Sequence, residues 1–171
     1  MSVSGESYEM VLAKEDFKFS VAHFTVFSAS EAEVLHGHNY RVRVRVAGDG
    51  TDELGLMLDL RELKTEIRRV CASLDAMTLV PTRCSLVAVD RADGRVRVRF
   101  GELDYDLPEA CVVALDLLNT SIEELARYVW DELAPTLAGT RGVRLAVDVE
   151  ETAGQSCTYA ADLPAGPGDG A

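Results

Sequence analysis

The stretch Leu35-His36-Gly37-His38-Asn39-Tyr40-Arg41-Val42-Arg43-Val44-Arg45-Val46 alternates in period two over nearly its whole length. Tyr40, Val42, Val44 and Val46 fall on one side of an extended backbone and Arg41, Arg43 and Arg45 on the other, the pattern of a strand with one buried face. Gly48-Asp49-Gly50 ends it. His36 and His38 are in phase with the apolar side, so a continuous strand directs both imidazoles into the protein. The arginine face has two readings: a polyanion site, or a solvated or interface face of the sheet. The second is preferred.

Downstream of this strand, Leu60, Leu63, Ile67, Val70, Cys71 and Leu74 keep the three-four spacing of an apolar stripe, which predicts a helix over Asp59 to Leu74. From Cys84 to about Val113 the period returns to two. Val96, Val98 and Phe100 alternate with Arg95, Arg97 and Arg99, and Asp93-Gly94 is a hairpin turn signal. Thr120 and Glu123 have capping-box spacing, and Ile122, Leu125, Ala126, Val129, Trp130 and Leu133 carry a second helix to Pro135. Two strands, about Gly142–Glu150 and Gln155–Ala161, follow. Upstream, Tyr8 to Val26 is extended but alternates imperfectly, so a bulge or bend is expected there.

The order strand-strand, helix, added hairpin, helix, strand-strand predicts an α+β fold, an antiparallel sheet with both helices on one face. Its open edges would be resolved by pairing subunits into a closed barrel, so a homo-oligomer is expected. The domain is expected over residues 8–161, with 84–115 as the inserted hairpin region. Residues 1–7 are expected to be flexible, and the Pro- and Gly-rich end, 162–171, to be a loose tail.

Composition narrows the function. The chain has 171 residues, 47% hydrophobic, and 17 basic against 29 acidic side chains give a formal charge of -12. Nucleic-acid affinity comes mostly from phosphate neutralisation by Lys and Arg, so this balance argues against a nucleic-acid partner and equally against anionic lipid. No apolar run reaches the roughly 18–20 residues of a membrane span, and Met1 to Glu6 lacks the regions of a signal peptide, which predicts a cytoplasmic protein. Cys71, Cys84, Cys111 and Cys157 form no Cys-x-x-Cys pair and read as reduced thiols without chemistry.

The chain has three histidines, His23, His36 and His38. Three imidazoles with one open position are the donor set of a catalytic zinc, which polarises a substrate oxygen or acidifies a bound water. Iron or nickel accepts the same nitrogens. A His-x-His pair alone is weak evidence, since a histidine on an apolar face is usually a satisfied core residue.

The surrounding residues carry more. Phe19-Ser20-Val21-Ala22-His23 and Leu35-His36-Gly37-His38-Asn39-Tyr40 resemble two signatures of the 6-pyruvoyl-tetrahydropterin synthase and 6-carboxytetrahydropterin synthase superfamily. Gly55-Leu56-Met57-Leu58-Asp59-Leu60-Arg61-Glu62-Leu63-Lys64 is similar to the family's entry into its first helix. Leu74-Asp75 resembles its Leu-Asp-His, Asn119-Thr120-Ser121-Ile122-Glu123-Glu124-Leu125-Ala126 its second helix start, and Val147-Asp148-Val149-Glu150-Glu151-Thr152 its last signature. The matches run in order across roughly residues 8 to 161.

That resemblance implies the tunnelling fold, ββααββ, assembled as trimers or paired trimers with active sites between subunits. It implies zinc on His23, His36 and His38, holding the side-chain hydroxyls of 7,8-dihydroneopterin triphosphate or a related pterin. Glu151 would anchor the pterin ring, and Ser121 stands where the family has a ring-holding Thr; the bland readings are a strand-end carboxylate and a helix-start residue. Two departures qualify the activity. The family's catalytic Cys is absent, with Ala32 four residues before His36, but Glu33 resembles the variant group in which Glu replaces it and the product is 6-hydroxymethyl-dihydropterin. Glu31 is the rival for that role. The family's Asp-His dyad is Asp75-Ala76 here, so the proton relay lacks its imidazole. The expectation is therefore a zinc-dependent lyase with Glu33 and Asp75 as catalytic candidates, the product left open among pyruvoyl, carboxy and hydroxymethyl pterins. The alternatives are a zinc- and pterin-binding homologue without turnover and a purely structural zinc linking subunits.

Overall fold

The strand read from His36 onward is the axis of the structure, a computed structural model that describes residues 7–140 and 142–163. In chain order the elements are β1 (Tyr8–Leu12), β2 (Lys18–His23), β3 (Val26–Ser28), β4 (Glu31–Ala32), β5 (His36–Gly48), α1 (Leu60–Leu74), β6 (Met77–Pro81), β7 (Ala88–Ala92), β8 (Arg95–Phe100), β9 (Leu103–Pro108), β10 (Val112–Leu115), α2 (Ile122–Leu133), β11 (Arg144–Thr152) and β12 (Gln155–Asp162). Both β1 and β2 pair antiparallel with one side of β5, Leu12 opposite Val44 and Lys18 opposite Arg41. Ala13–Phe17 is the expected bend between them, pinned where the Phe17 carbonyl accepts Val42 N–H at 2.9 Å. On its other side β5 pairs with β11, which pairs with β12.

The inner face of this sheet carries Tyr40, Val42, Val44, Val46, Leu145, Val147 and Val149, all buried. Against it pack the two helices, through Leu63, Ile67, Val70, Cys71 and Leu74 of α1 and Leu125, Ala126, Val129, Trp130 and Leu133 of α2. The Trp130 indole donates to the Leu145 carbonyl at 3.0 Å, which fixes α2 on β11. Ile67 is fully buried, so Ile67→Ala is expected to cost about 2–5 kcal/mol of unfolding free energy in a denaturant titration.

Three details differ from the sequence expectation. The sheet is mixed: β6 runs parallel to β2, and β10 parallel to β6. Adjacent parallel strands need a crossover of a dozen or more residues, and the inserted region supplies it between β6 and β10. That insertion is a separate three-stranded sheet, β7-β8-β9, rather than a hairpin. Its second turn lies at Gly101, whose φ of 54° is the left-handed region that glycine adopts freely. One face of it closes a second core of Phe24, Val80, Val87, Val96, Val98 and Phe100. The other pairs Arg95 with Asp106, Arg97 with Asp104 and Arg99 with Asp90. Finally, β12 continues to Asp162, opposite Arg144, and Leu163 packs against the main core, so the ordered domain outruns its expected end at residue 161. The remaining terminal residues, 1–6 and 164–171, lie outside the described residues.

The outer arginine face is interleaved with acid. Arg43 lies 3.6 Å from Asp148, a buried carboxylate that also accepts the Ser156 and Thr158 hydroxyls at 3.0 and 2.9 Å. That partnering weighs against a polyanion site. Among the described residues no helix is long and apolar enough to cross a membrane. The four cysteines are free thiols, and burial pushes the Cys71 thiol up to about 12.

Candidate metal centre

Antiparallel pairing of β2 with β5 sets His23 directly opposite His36, and His38 follows two residues along the same face. The pairing passes through Gly37 without a shift, so no bulge occurs there. The three rings converge, with centroids 4.7 Å apart for His23 and His36, 5.3 Å for His23 and His38, and 4.8 Å for His36 and His38. One ring nitrogen from each lies within 4.8 Å of the others. Those three residues could hold a metal ion.

Backbone carbonyls fix the tautomers. His23 Nδ1 lies 2.9 Å from the Thr120 carbonyl, and His36 Nδ1 lies 2.9 Å from the Val34 carbonyl. A carbonyl only accepts, so each Nδ1 carries a proton and Nε2 is the nitrogen left to face the cluster. Burial pushes the His23 imidazole below its ordinary value, with the Thr120 hydrogen bond opposing. His23 is thus kept as a neutral imidazole rather than a cation.

Carboxylates flank the cluster. Glu151 Oε1 lies 3.4 Å from His23 Nε2 and 3.7 Å from His38 Nε2; Glu33 Oε2 lies 3.9 Å from His36 Nε2. The fully buried Tyr40 donates its hydroxyl to Glu151 Oε1 at 2.6 Å and stands 3.1 Å from His23 Nε2. Burial, then the bond to Glu151, pushes this phenol far up, so it remains a donor. Gln155 Nε2 donates to the other Glu151 oxygen at 3.0 Å. Imidazole nitrogens of His23 and His36 facing inward beside two carboxylates, with the Tyr40 proton already directed at Glu151, form a donor set whose chemistry fits a divalent cation. Beside it opens a depression of about 360 Å³ lined by His38, Glu151, Thr152, Ser20 and Asn39, within the size range of small-molecule sites.

The other candidates separate. Glu33 is clasped to Thr25, its amide donating to the Thr25 carbonyl at 2.9 Å and its carboxylate accepting Thr25 N–H at 3.1 Å. Glu31, on β4, is exposed, and among the described residues no hydrogen bond or ion pair links it to the imidazoles. Asp75 ends α1 and accepts Ser20 N–H at 2.7 Å; among the described residues no hydrogen bond or ion pair joins it to the imidazoles. Ser121 accepts Glu124 N–H at 3.5 Å as the cap of α2. The cap therefore falls one residue after the expected Thr120, because Thr120 is engaged elsewhere. Its hydroxyl donates to the Phe24 carbonyl at 2.7 Å while its own carbonyl holds His23. Asn119 completes this dock through both the amide and the carbonyl of Val26, at 3.2 and 2.9 Å.

Tyr40 and the Asn119-Thr120 pair are thus site residues that the sequence reading took as core and helix start. A signal existed for Tyr40, which shares the period-two face of His36 and His38. None existed for the Thr120 carbonyl.

A family model described as 6-pyruvoyl tetrahydropterin synthase matches residues 12–162. A protein of Methanocaldococcus jannaschii named as a putative 6-carboxy-5,6,7,8-tetrahydropterin synthase is 28% identical over 83% of this chain and 88% of its own length. The crystal structure of 6-pyruvoyl tetrahydropterin synthase from Plasmodium vivax superposes with a TM-score of 0.86 at 26% identity, covering 92% of this chain and 99% of that one. Two further structures of the Plasmodium vivax protein, each with a TM-score of 0.83, carry alanine or cysteine in place of a catalytic glutamate.

Proposed function

Since this chain belongs to the 6-pyruvoyl tetrahydropterin synthase family, we propose that it is a zinc-dependent lyase acting on the side chain of 7,8-dihydroneopterin triphosphate or a related dihydropterin. The observation that carries the reading is the convergence of three imidazoles between two carboxylates, Glu33 on one side and Glu151 on the other. His23, His36 and His38 hold the metal. When bound, zinc supplies Lewis acidity to the side-chain oxygens of the pterin.

The protein's own groups do the rest. Glu151, held by Tyr40, accepts the N–H donors at the guanidine-like edge of the pterin ring, a charge-assisted pair that sets the ring's orientation. Ser121, at the start of α2, assists in holding the ring. Glu33 is the general base, and the Thr25 amide fixes its direction. It takes the proton from the second side-chain hydroxyl as the bond between the first and second side-chain carbons breaks. The released fragment leaves as an aldehyde, and the electron pair passes into the carbon attached to the ring. The proton returns to that carbon, giving 6-hydroxymethyl-dihydropterin. Support for a glutamate in this role comes from the Plasmodium vivax structures, whose catalytic residue is also a glutamate. We place the enzyme in the cytoplasm as a homo-oligomer, a trimer or paired trimer, with its sites between subunits.

A second reading, a zinc- and pterin-binding homologue without turnover, is favoured by one feature. Ala76 follows Asp75 where the family carries its dyad histidine, and the Asp75 carboxylate is spent on the Ser20 amide. Incubating zinc-loaded protein with 7,8-dihydroneopterin triphosphate and identifying pterins by mass separates the two. The lyase predicts a product that accumulates in proportion to bound zinc, with a hydroxymethyl side chain. Stoichiometric zinc, bound pterin and unchanged substrate would establish the second reading instead.

A further inference from the structure

The proposed reaction gives the three-stranded insertion no task, yet one of its side chains reaches the ligand set. Tyr105, on β9, turns toward Phe24, with ring centroids 6.2 Å apart. Its hydroxyl accepts the Leu35 N–H at 2.9 Å. That N–H belongs to the same peptide unit as the Val34 carbonyl, which accepts His36 Nδ1–H at 2.9 Å. A trans peptide is planar, with its N–H and C=O pointing in opposite directions. This one is therefore clamped between the insertion on one side and a ligand imidazole on the other, and turning it would break both bonds.

We propose that Tyr105 is a positioning residue for the metal centre, acting through the Val34–Leu35 peptide to hold the His36 ring in its ligating tautomer and direction. The inference rests on the metal reading of the three histidines. Packing supports it: Val26, Ala32 and Leu35, from the segment around Glu33, pack against the second core, to which the insertion contributes Val96, Val98 and Phe100. The hydroxyl of Tyr105 adds direction to that apolar contact. Hydrogen bonds in series polarise one another, so the Tyr105 contact also strengthens the carbonyl's hold on His36. The insertion thus buttresses the segment that carries both a metal ligand and the proposed base.

Tyr105→Phe removes the hydroxyl and keeps the ring. A competition titration against a chromophoric zinc chelator is expected to show zinc affinity weakened about 3- to 10-fold, less than the roughly 10- to 100-fold typical of direct partners of a ligand imidazole. In metal-free protein the imidazole nitrogen resonances should show the His36 Nδ1–H tautomer loosened in Tyr105→Phe and those of His23 unchanged, because only His36 is held through the Val34–Leu35 peptide. Amide hydrogen exchange at Leu35 should be slow in the wild type and faster in Tyr105→Phe. Unchanged zinc affinity in Tyr105→Phe, or a His36 tautomer that the change leaves untouched, would overturn the inference alone. So would a wild-type Leu35 amide that exchanges at the rate of a free peptide, a check that needs no variant. A wild-type protein without zinc affinity would overturn the metal reading and this inference with it.

Discussion

Glu33→Gln is expected to lower turnover of the dihydropterin substrate by about 10²- to 10⁴-fold, the range that a positioned general base contributes. Glutamine keeps the shape of the side chain and one acceptor for the Thr25 amide, so the segment before His36 stays in place. What it cannot do is accept a proton. Zinc affinity should remain within a few-fold of the wild type, because Glu33 Oε2 stands 3.9 Å from His36 Nε2 and is not among the three ligands. The parallel change Glu31→Gln should leave turnover nearly intact. Rates measured at equal zinc occupancy decide the matter. Loss in Glu31→Gln with survival in Glu33→Gln would reverse the assignment.

His23→Ala should remove zinc binding and turnover together. The affinity loss should exceed the roughly 100-fold upper range seen for partners one shell further out. A second effect distinguishes His23 from the other two ligands. It is almost fully buried and partners the Thr120 carbonyl. Deleting the ring strands a buried carbonyl, which costs about 1–3 kcal/mol even in metal-free protein. His38→Ala, at a partly exposed position, should lose the metal with little change in metal-free stability. Denaturant unfolding in the presence of a chelator, set beside zinc titrations of both variants, measures the two effects separately.

The parts of the fold that the sequence made legible are those whose side chains alternate or recur on their own. The run from His36 to Val46 has one buried face and one charged face, and strand β5 follows it residue for residue. The apolar stripes of both helices are their buried faces. What stayed illegible depends on partners distant in the chain. Strands β6 and β10 are short apolar runs with both faces covered, and such runs have no period to read. Their parallel pairing exists only because the insertion carries the chain back across the sheet edge. Its second turn, at Gly101, lacks the Asp-Gly signature that marked the first at Asp93-Gly94.

The site divides in the same way. Three histidines in a chain with no others made the imidazole cluster visible, and the ordered signatures around them pointed to Glu33 and Glu151, which flank it. Which nitrogen of each ring faces inward was not readable. The Thr120 carbonyl that orients His23 is 97 residues away, and a backbone carbonyl leaves no mark in residue identity. Tyr105 approaches Leu35 across 70 residues for the same reason. The misplaced cap of α2 is instructive: Thr120 and Ser121 are both good caps, and the choice between them was made by Phe24 and His23.

The central claim is that the imidazoles of His23, His36 and His38 form one metal site. Its most direct test is a zinc-binding isotherm on protein stripped with a chelator, with metal content counted per chain. The account predicts one zinc per chain, bound tightly enough to survive gel filtration and absent from His36→Ala. A stripped wild-type protein that takes up no zinc, or a His36→Ala variant that binds it as well as the wild type, would contradict it.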